Sequence, residues 1–280
     1  MESGMDVRVI NTGDVLQTDA LSANELSQKL QKSLLRLKGE FMAEDGKGVD
    51  YAKLKTGTSY TDYKKQAQLL QLVTLDQLTE DEKKSFFLNI YNALTIHGLA
   101  DLETLPKSVL DVKQFWRRTG YKIGQNVFSL DDIEHGILRG NRSHPASTDP
   151  QFSSKDPRLK FALKKLDPRI HFALVCGAKS CPAINVYTPA NIDQALDVAT
   201  RNFALEEVSM FTEVDEIWLS RIFQWYQDDF GGTDVEVIKW IVPFLRENIQ
   251  DRAHVLLFKL ENVGQVDIKY NEYNWSLNKV

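Results

Sequence analysis

Apolar residues recur at spacings of four and three from Leu26 through Leu30, Leu34, Leu37 and Phe41, which is the stripe of an amphipathic helix. Ser22 with Glu25 three residues later supplies its capping box, and Gly46 and Gly48 end it. A second helix is predicted over 59–73 and a third over 80–99, the latter opened by Thr79 with Glu82. This third helix carries Phe86, Phe87, Leu88, Ile90, Tyr91, Ala93, Leu94 and Ile96, apolar on nearly every side, so it is expected at the centre of the core. Asn89 and Asn92 within it, and His97 near its end, must then find hydrogen-bond partners there, because a stranded buried polar group costs about 1–3 kcal/mol.

Further along, Ser108 opens a short helix reaching 116, and residues 121–123 and 127–129 around Gly124-Gln125-Asn126 read as a hairpin. Ser129 caps a helix over 130–139 that spaces Asp131, His135 and Arg139 by fours on one face. Residues 140–156 are polar and proline-bearing, a long loop of the kind that is mobile or functional. A short helix over 157–165 precedes the unbroken apolar run Ile170-His171-Phe172-Ala173-Leu174-Val175, which reads as a strand buried on both faces. It delivers Cys176 to a turn containing Gly177, Lys179, Ser180, Cys181 and Pro182.

Thr188 and Pro189 open a helix with Ile192, Leu196, Ala199 and Phe203 inward. Residues 208–211 and 217–219 form a hairpin, Ser220 caps 221–229, and 235–248 is a helix bent at Pro243. Two β-like runs, 255–260 and 266–270, close the chain. Residues 1–21 are read as a flexible tail, with Val7 to Ile10 as its one apolar patch and candidate edge strand; 22–280 are read as a single globular domain without repeat or linker. The fold class is α+β: a helical N-terminal half packed on a small mixed or antiparallel sheet that contains the Cys176 strand.

Composition narrows the function classes. A net charge of −5 with dispersed Lys and Arg offers no basic stripe for phosphates, so no nucleic-acid partner is expected. No apolar run reaches the roughly 20 residues needed to span a bilayer and no cationic leader precedes an apolar block, so no membrane partner and a cytoplasmic location are expected. Two cysteines cannot form a disulfide framework and are read as free thiols.

Both thiols lie in the Cys176 stretch. A cysteine becomes a nucleophile when a nearby His, Lys or helix N-terminus lowers its pKa, and is otherwise an inert buried hydrophobe; both readings stand on sequence. Several rivals are absent: an Arg six residues after Cys176 to clasp phosphate (Pro182 stands there), CxxC, GxSxG, a Walker loop, GxGxxG and local zinc-ligand spacing. No cofactor and no metal are therefore expected. His135, His97 and His171 each have a plain structural reading, as a helix-surface, core and buried histidine respectively, and Arg169 is expected to pair with a carboxylate.

Three motifs together carry a family resemblance: Phe86-Phe87-Leu88-Asn89-Ile90-Tyr91-Asn92-Ala93-Leu94, Asp132-Ile133-Glu134-His135-Gly136-Ile137-Leu138-Arg139, and the stretch from His171 to Pro182. With Trp225-Tyr226, Asp229-Phe230 and the closing Tyr273-Asn274-Trp275-Ser276-Leu277-Asn278, the chain resembles the domain-of-unknown-function family numbered 547 over about residues 50–278. In that family, animal relatives join the domain to glutaredoxin-like and DEP domains, and plant relatives precede it with a coiled coil. This chain has neither a CxxC nor a long heptad run. Plant members are similar to this chain at Asn89, Asn92, His97, Glu134, His135, Arg139 and Cys176 and carry Ser where Cys181 stands. The resemblance therefore implies Cys176 as the nucleophile and Cys181 as auxiliary, with Arg169 and His171 less general.

A cysteine with a distant histidine and an amide side chain is, by analogy, the arrangement of a rearranged papain-like or transglutaminase-like core. The expectation is a thiol-dependent hydrolase or acyl transferase acting on an amide or thioester of a small-molecule or peptide substrate. Cys176 is the nucleophile, His135 the general base and Asn92 or Glu134 the orienter, with backbone amides from Gly177 to Ser180 facing the oxyanion. Asn89, His97, Arg139, Arg169, His171 and Cys181 are auxiliary or binding residues. His135 and Cys176 are expected to meet at one rim of the sheet. The alternative is a non-catalytic interaction module with a protein partner.

Overall fold

The computed structural model of the chain describes residues 7–13, 15, 22–44 and 47–280. Strand β1 (Arg8–Val9) realises the N-terminal edge strand; of the expected tail, residues 1–6, 14 and 16–21 lie outside the described residues, as does Gly46. Helix α1 (Ala23–Phe41) starts at the predicted capping box, in which Ser22 Oγ accepts the Glu25 N–H and the Glu25 carboxylate accepts the Ser22 N–H. Its five stripe residues are all buried. Asp50 caps a helix that the apolar pattern does not announce, α2 (Tyr51–Thr56), and α3 (Thr58–Gln68) follows. Thr79 and Glu82 cap α4 (Glu80–Ala100), which is buried at every residue from Ser85 onward, as its all-round apolar sequence requires.

Helix α5 (Phe115–Arg118) runs straight into β2 (Thr119–Ile123), and β3 (Asn126–Ser129) returns antiparallel through the predicted turn. With β1 parallel to β2 this makes a mixed three-stranded sheet, ordered β1-β2-β3. The next segment is a π-helix, Asp132–Leu138, where an ordinary helix over 130–139 is expected. Bonds from Arg139 N–H to Glu134 O and from Asn141 N–H to Gly136 O, each spanning five residues, hold the wider turn. Such turns are rare and concentrate at functional sites. Gly136 makes room for it: a Cβ there would lie 2.3 Å from the Phe152 ring of the following loop.

By contacts the chain divides into two compact units where the lack of a linker suggested one domain: 1–167, 174–192 and 275–280 form the first, and 168–173 with 193–274 the second. The second holds most of α6 (Ile192–Glu207), then β4 (Ser209–Phe211), β5 (Glu216–Leu219), α7 (Arg221–Trp225), α8 (Asp234–Ile241), α9 (Glu247–Asn262) and β6 (Asp267–Tyr270). Its sheet is again mixed and three-stranded, with β5 antiparallel to β4 and parallel to β6. An aromatic core of Phe172, Phe203, Phe223 and Phe230 lies among Ile217, Ile238 and Ile241.

The α+β class therefore holds, with two corrections. Residues 170–175 are not a strand: Pro168–Phe172 is a 3-10 helix, closed by Ala173 N–H on Ile170 O. The Val175 N–H goes to the Asn92 side chain instead of a ladder. An unbroken apolar run reports burial on all sides and leaves helix and strand undecided. Neither sheet contains Cys176. Residues 255–260 are likewise helical, within α9, where Ala253 and Leu256 face inward while Val255 and Phe258 stay exposed. Among the described residues no helix is long and apolar enough to cross a membrane.

Candidate functional site

Two adjacent residues of α4 organise the first unit's polar centre. Tyr91 donates its hydroxyl to Glu134 Oε2 at 2.9 Å, and Asn92 Oδ1 accepts the Val175 N–H at 2.9 Å. Glu134 immediately precedes His135 and Val175 immediately precedes Cys176, so neighbouring side chains of one helix hold the carboxylate beside His135 and the backbone N–H leading into Cys176. One turn earlier, Asn89 bonds both backbone groups of Tyr187, its Nδ2 donating to the carbonyl at 2.7 Å and its Oδ1 accepting the N–H at 2.9 Å. Both amides are buried and paired with backbone of other segments, as the sequence predicts. The common platform is α4, not a sheet rim. The sheet expectation failed because it rested on a strand at 170–175.

Cys176 is half-buried at the start of a tight loop, while Cys181 is buried. Both are free thiols, with Sγ atoms 2.9 Å apart, and the Cys176 N–H donates to Cys181 Sγ at 3.2 Å. Gly177 has φ +93°, and a Cβ on it would lie 2.6 Å from Leu99 Cδ1, so only glycine fits between the thiol and α4. The loop is held by the chain's last residues: Lys179 N–H bonds Ser276 O, Asn278 N–H bonds Gly177 O, and Ala178 forms a bridge with Leu277. Tyr51 anchors that strap through Asn278 Oδ1 at 2.9 Å. Burial, and then the two thiols, push the Tyr51 hydroxyl pKa well up, so it stays protonated and donates. Of the amides from Gly177 to Ser180 expected to face an oxyanion, that of Lys179 is engaged by Ser276 O.

His135 sits in the π-helix, buried. Arg139 Nη1 lies 2.9 Å from its Nδ1 and also donates to Ser143 O at 2.7 Å, while Glu134 Oε1 is 4.0 Å from the same ring nitrogen. A guanidinium offers donors only, so Nδ1 accepts and the neutral ring keeps its proton on Nε2. Arg139 is thus more than an auxiliary residue, since it sets the tautomer. The exposed ring of His144, to which sequence gave no role, stands edge-on to His135 at 4.9 Å. One turn ahead, burial and the carboxylates of Glu134 and Asp132 raise the Asp131 pKa to about 7, against the pull of Arg117.

The remaining candidates serve other centres. His97 is a core histidine: its Nδ1 is 2.7 Å from the Tyr121 hydroxyl, which meets that of Tyr63 at 3.1 Å, and burial pushes its pKa down to about 4. His171 and Arg169 belong to the second unit. His171 Nε2 bonds the buried Asp229 at 2.8 Å and its ring stacks on Tyr226, whereas Arg169 pairs with Asp193 and Asp197. Ser180 lies in the Cys176 loop, half-buried. Among the described residues no group of three or more His, Cys, Asp or Glu side chains is placed to hold a metal.

Sequence reasoning missed Tyr91, Tyr51, Asn278 and His144. Tyr91 was legible as a hydroxyl inside an all-apolar helix, a group that must find an acceptor when buried. Tyr51 lies in the helix that the apolar pattern did not announce.

No curated protein and no solved structure matches the chain. Residues 75–204, which contain α4, the π-helix and the Cys176 loop, match the model of the family described as "Protein of unknown function, DUF547", so the resemblance carried by the three motifs holds over that stretch.

Proposed function

We propose that the Cys176 loop is a thiol-dependent acyl-transfer site, working as hydrolase or transferase, with Cys176 as nucleophile and His135 as its partner. The observation that carries this reading is the pairing on α4: Tyr91 and Asn92 hold the residues just before His135 and Cys176, which is how a fold registers two catalytic groups from distant segments. Glu134 and Asn92 are the orienting groups, and the amides of Gly177 and Ala178 receive the oxyanion. The half-buried Cys176 at the start of a glycine turn suits attack on a carbonyl carbon.

The Arg139 contact bears on the substrate. A histidine whose Nδ1 is occupied presents an Nε2–H, which stabilises a thiolate but takes no proton from a thiol; His135 acts as general base only if Arg139 releases Nδ1. Expelling an amine from an amide requires a delivered proton, whereas a thioester's leaving thiolate departs without one. A thioester is therefore the better substrate of the two. The rival reading, a non-catalytic interaction module, draws on the buried amides: Asn89 and Asn92 bond backbone in a way that needs no catalysis to explain it.

The pH dependence of thiol alkylation, mapped by peptide, separates the readings. Cys176 is expected to react as a thiolate near neutral pH and to take up an acyl group from a small aryl thioester. Two thiols that react only on unfolding would leave the interaction module in its place.

A further inference from the structure

The two thiols make a second kind of chemistry available. We infer that Cys176 and Cys181 are an oxidisable pair, in which Cys176 reacts with a hydroperoxide and Cys181 resolves the product into a reversible intrachain disulfide. This stands whether or not Cys176 transfers acyl groups.

The geometry is unusual for two cysteines without covalent linkage. Their sulfurs are 2.9 Å apart, so bonding requires an approach of about 0.9 Å to reach the length of a disulfide. The loop between them is already folded back: Cys181 N–H bonds Ala178 O at 3.2 Å, and Gly177 takes the positive φ that lets the chain reverse. The two ends of the turn are pinned from the C-terminal strap through Gly177 O and Lys179 N–H. Pre-positioning of this kind removes most of the loop-closure cost of a short disulfide.

Exposure divides the labour. Cys176 is half-buried and meets an oxidant first, while Cys181 is 3% exposed and is shielded from it. Donation from the Cys176 N–H favours the anionic form of the Cys181 sulfur, the form needed for the second step. In the first step the Cys176 thiolate attacks the outer peroxide oxygen. The O–O bond breaks, the sulfenic acid forms, and the leaving alkoxide takes a proton to become an alcohol, or water from hydrogen peroxide. In the second step the Cys181 thiolate attacks the sulfenic sulfur, the S–O bond breaks, and hydroxide leaves and is protonated to water. Overall, two thiols are oxidised to one disulfide, and one hydroperoxide is reduced to an alcohol and water.

The test is titration of the reduced, full-length chain with hydrogen peroxide, read by intact mass and by peptide mapping after denaturing alkylation. The wild type is expected to lose about 2 Da, to lose both alkylation sites in one molecule, and to recover both with dithiothreitol. Cys181→Ser is expected to stop at Cys176 sulfenic acid, gaining about 16 Da and then more, with at least about tenfold more dimedone adduct than wild type. Cys176→Ser should stay unmodified at the same dose. If Cys181→Ser does not fold, dimedone added during wild-type oxidation provides the same partition, because it competes with Cys181 for the sulfenic acid. The inference is overturned if wild-type Cys176 proceeds to sulfinic acid with no species lighter by about 2 Da, or if neither thiol oxidises under conditions that oxidise the unfolded chain.

Discussion

His97 and His135 are equally hidden, at 1% and 2% exposure, yet Nδ1 meets a hydroxyl in one and a guanidinium in the other. Around His97 the hydrogen-bond partners are hydroxyls, Tyr121 on Nδ1 with Tyr63 behind it, and the Asp101 carboxylate lies 3.9 Å from Nε2. The hydroxyls satisfy a neutral ring, and burial outweighs the pull of the Asp101 carboxylate, so the ring is held neutral. Around His135 the partners are a guanidinium, a carboxylate and a second imidazole. Burial alone does not distinguish the two rings; the chemistry of what each touches does. The same helix supplies both settings, holding one ring directly at His97 and the other through Tyr91 and Glu134.

The largest effects are expected in the pH dependence of stability, where His97 and Asp131 pull in opposite directions. The His97 pKa is about 4 in the fold against 6.5 ordinarily, so between those values the unfolded chain binds a proton that the folded chain does not, and stability is lost as pH falls. Asp131 is raised to about 7 from 3.8, so there the folded chain holds the proton and stability is lost as pH rises. Relative to wild type, Asp131→Asn should gain on the order of 3 kcal/mol on going from pH 4 to pH 7, and His97→Leu should lose about as much over the same span. Urea titrations across that range check both. Parallel profiles for the three proteins would mean that neither group is held neutral.

Next in size is the pair of amides. Asn89→Leu and Asn92→Leu should each cost about 1–3 kcal/mol by stranding the backbone groups they satisfy. Only Asn92→Leu should also alter Cys176 alkylation, because only Asn92 holds the residue before it. Equal thiol rates in the two variants would detach Asn92 from the site.

Smaller again, His135→Leu should slow Cys176 alkylation at pH 7 about tenfold, equivalent to about 1.4 kcal/mol, through loss of the Nε2–H proposed to stabilise the thiolate. His97→Gln, measured in the folded protein, should leave that rate unchanged. A common response of both variants would erase the distinction between the two settings.

What the sequence made legible follows the range of the physics involved. Capping boxes at Ser22 and Thr79 and the hairpin through Gly124 are local, decided within a few residues, and appear where the pattern puts them. Burial of Asn89 and Asn92 was legible too, because an apolar helix leaves them nowhere else to go. Residues 170–175 misled, since their apolar character comes from burial in two separate units, Phe172 in one and Val175 in the other. The π-turn at 132–138 was invisible because bonds spanning five residues and the close approach of Phe152 to Gly136 depend on a loop folding back over it. The strap at Trp275 to Asn278 was legible as a motif, but its task of pinning the Cys176 loop was not.

The smallest change tests the link on which the proposed pairing depends. Tyr91→Phe removes one hydroxyl and leaves the ring packed, so the expected loss of stability is about 1 kcal/mol, at the upper end if Glu134 is left buried without a replacement donor. Glu134 would then be less well stabilised as an anion, and its carboxyl pKa should rise. Asp131 feels the Glu134 charge as one of the causes that raise its own pKa, so a Glu134 that protonates more readily should let the Asp131 value fall. The two carboxyl signals, followed by NMR titration in labelled protein, should therefore move in opposite directions, Glu134 up and Asp131 down. His97 should keep its low pKa, because its partners Tyr121 and Tyr63 are untouched. A Tyr91→Phe chain in which Cys176 alkylation slows while His97 stays fixed would join Tyr91 to the thiol through Glu134 and His135. Unchanged alkylation would leave Tyr91 as a packing residue whose bond to Glu134 serves the π-turn alone.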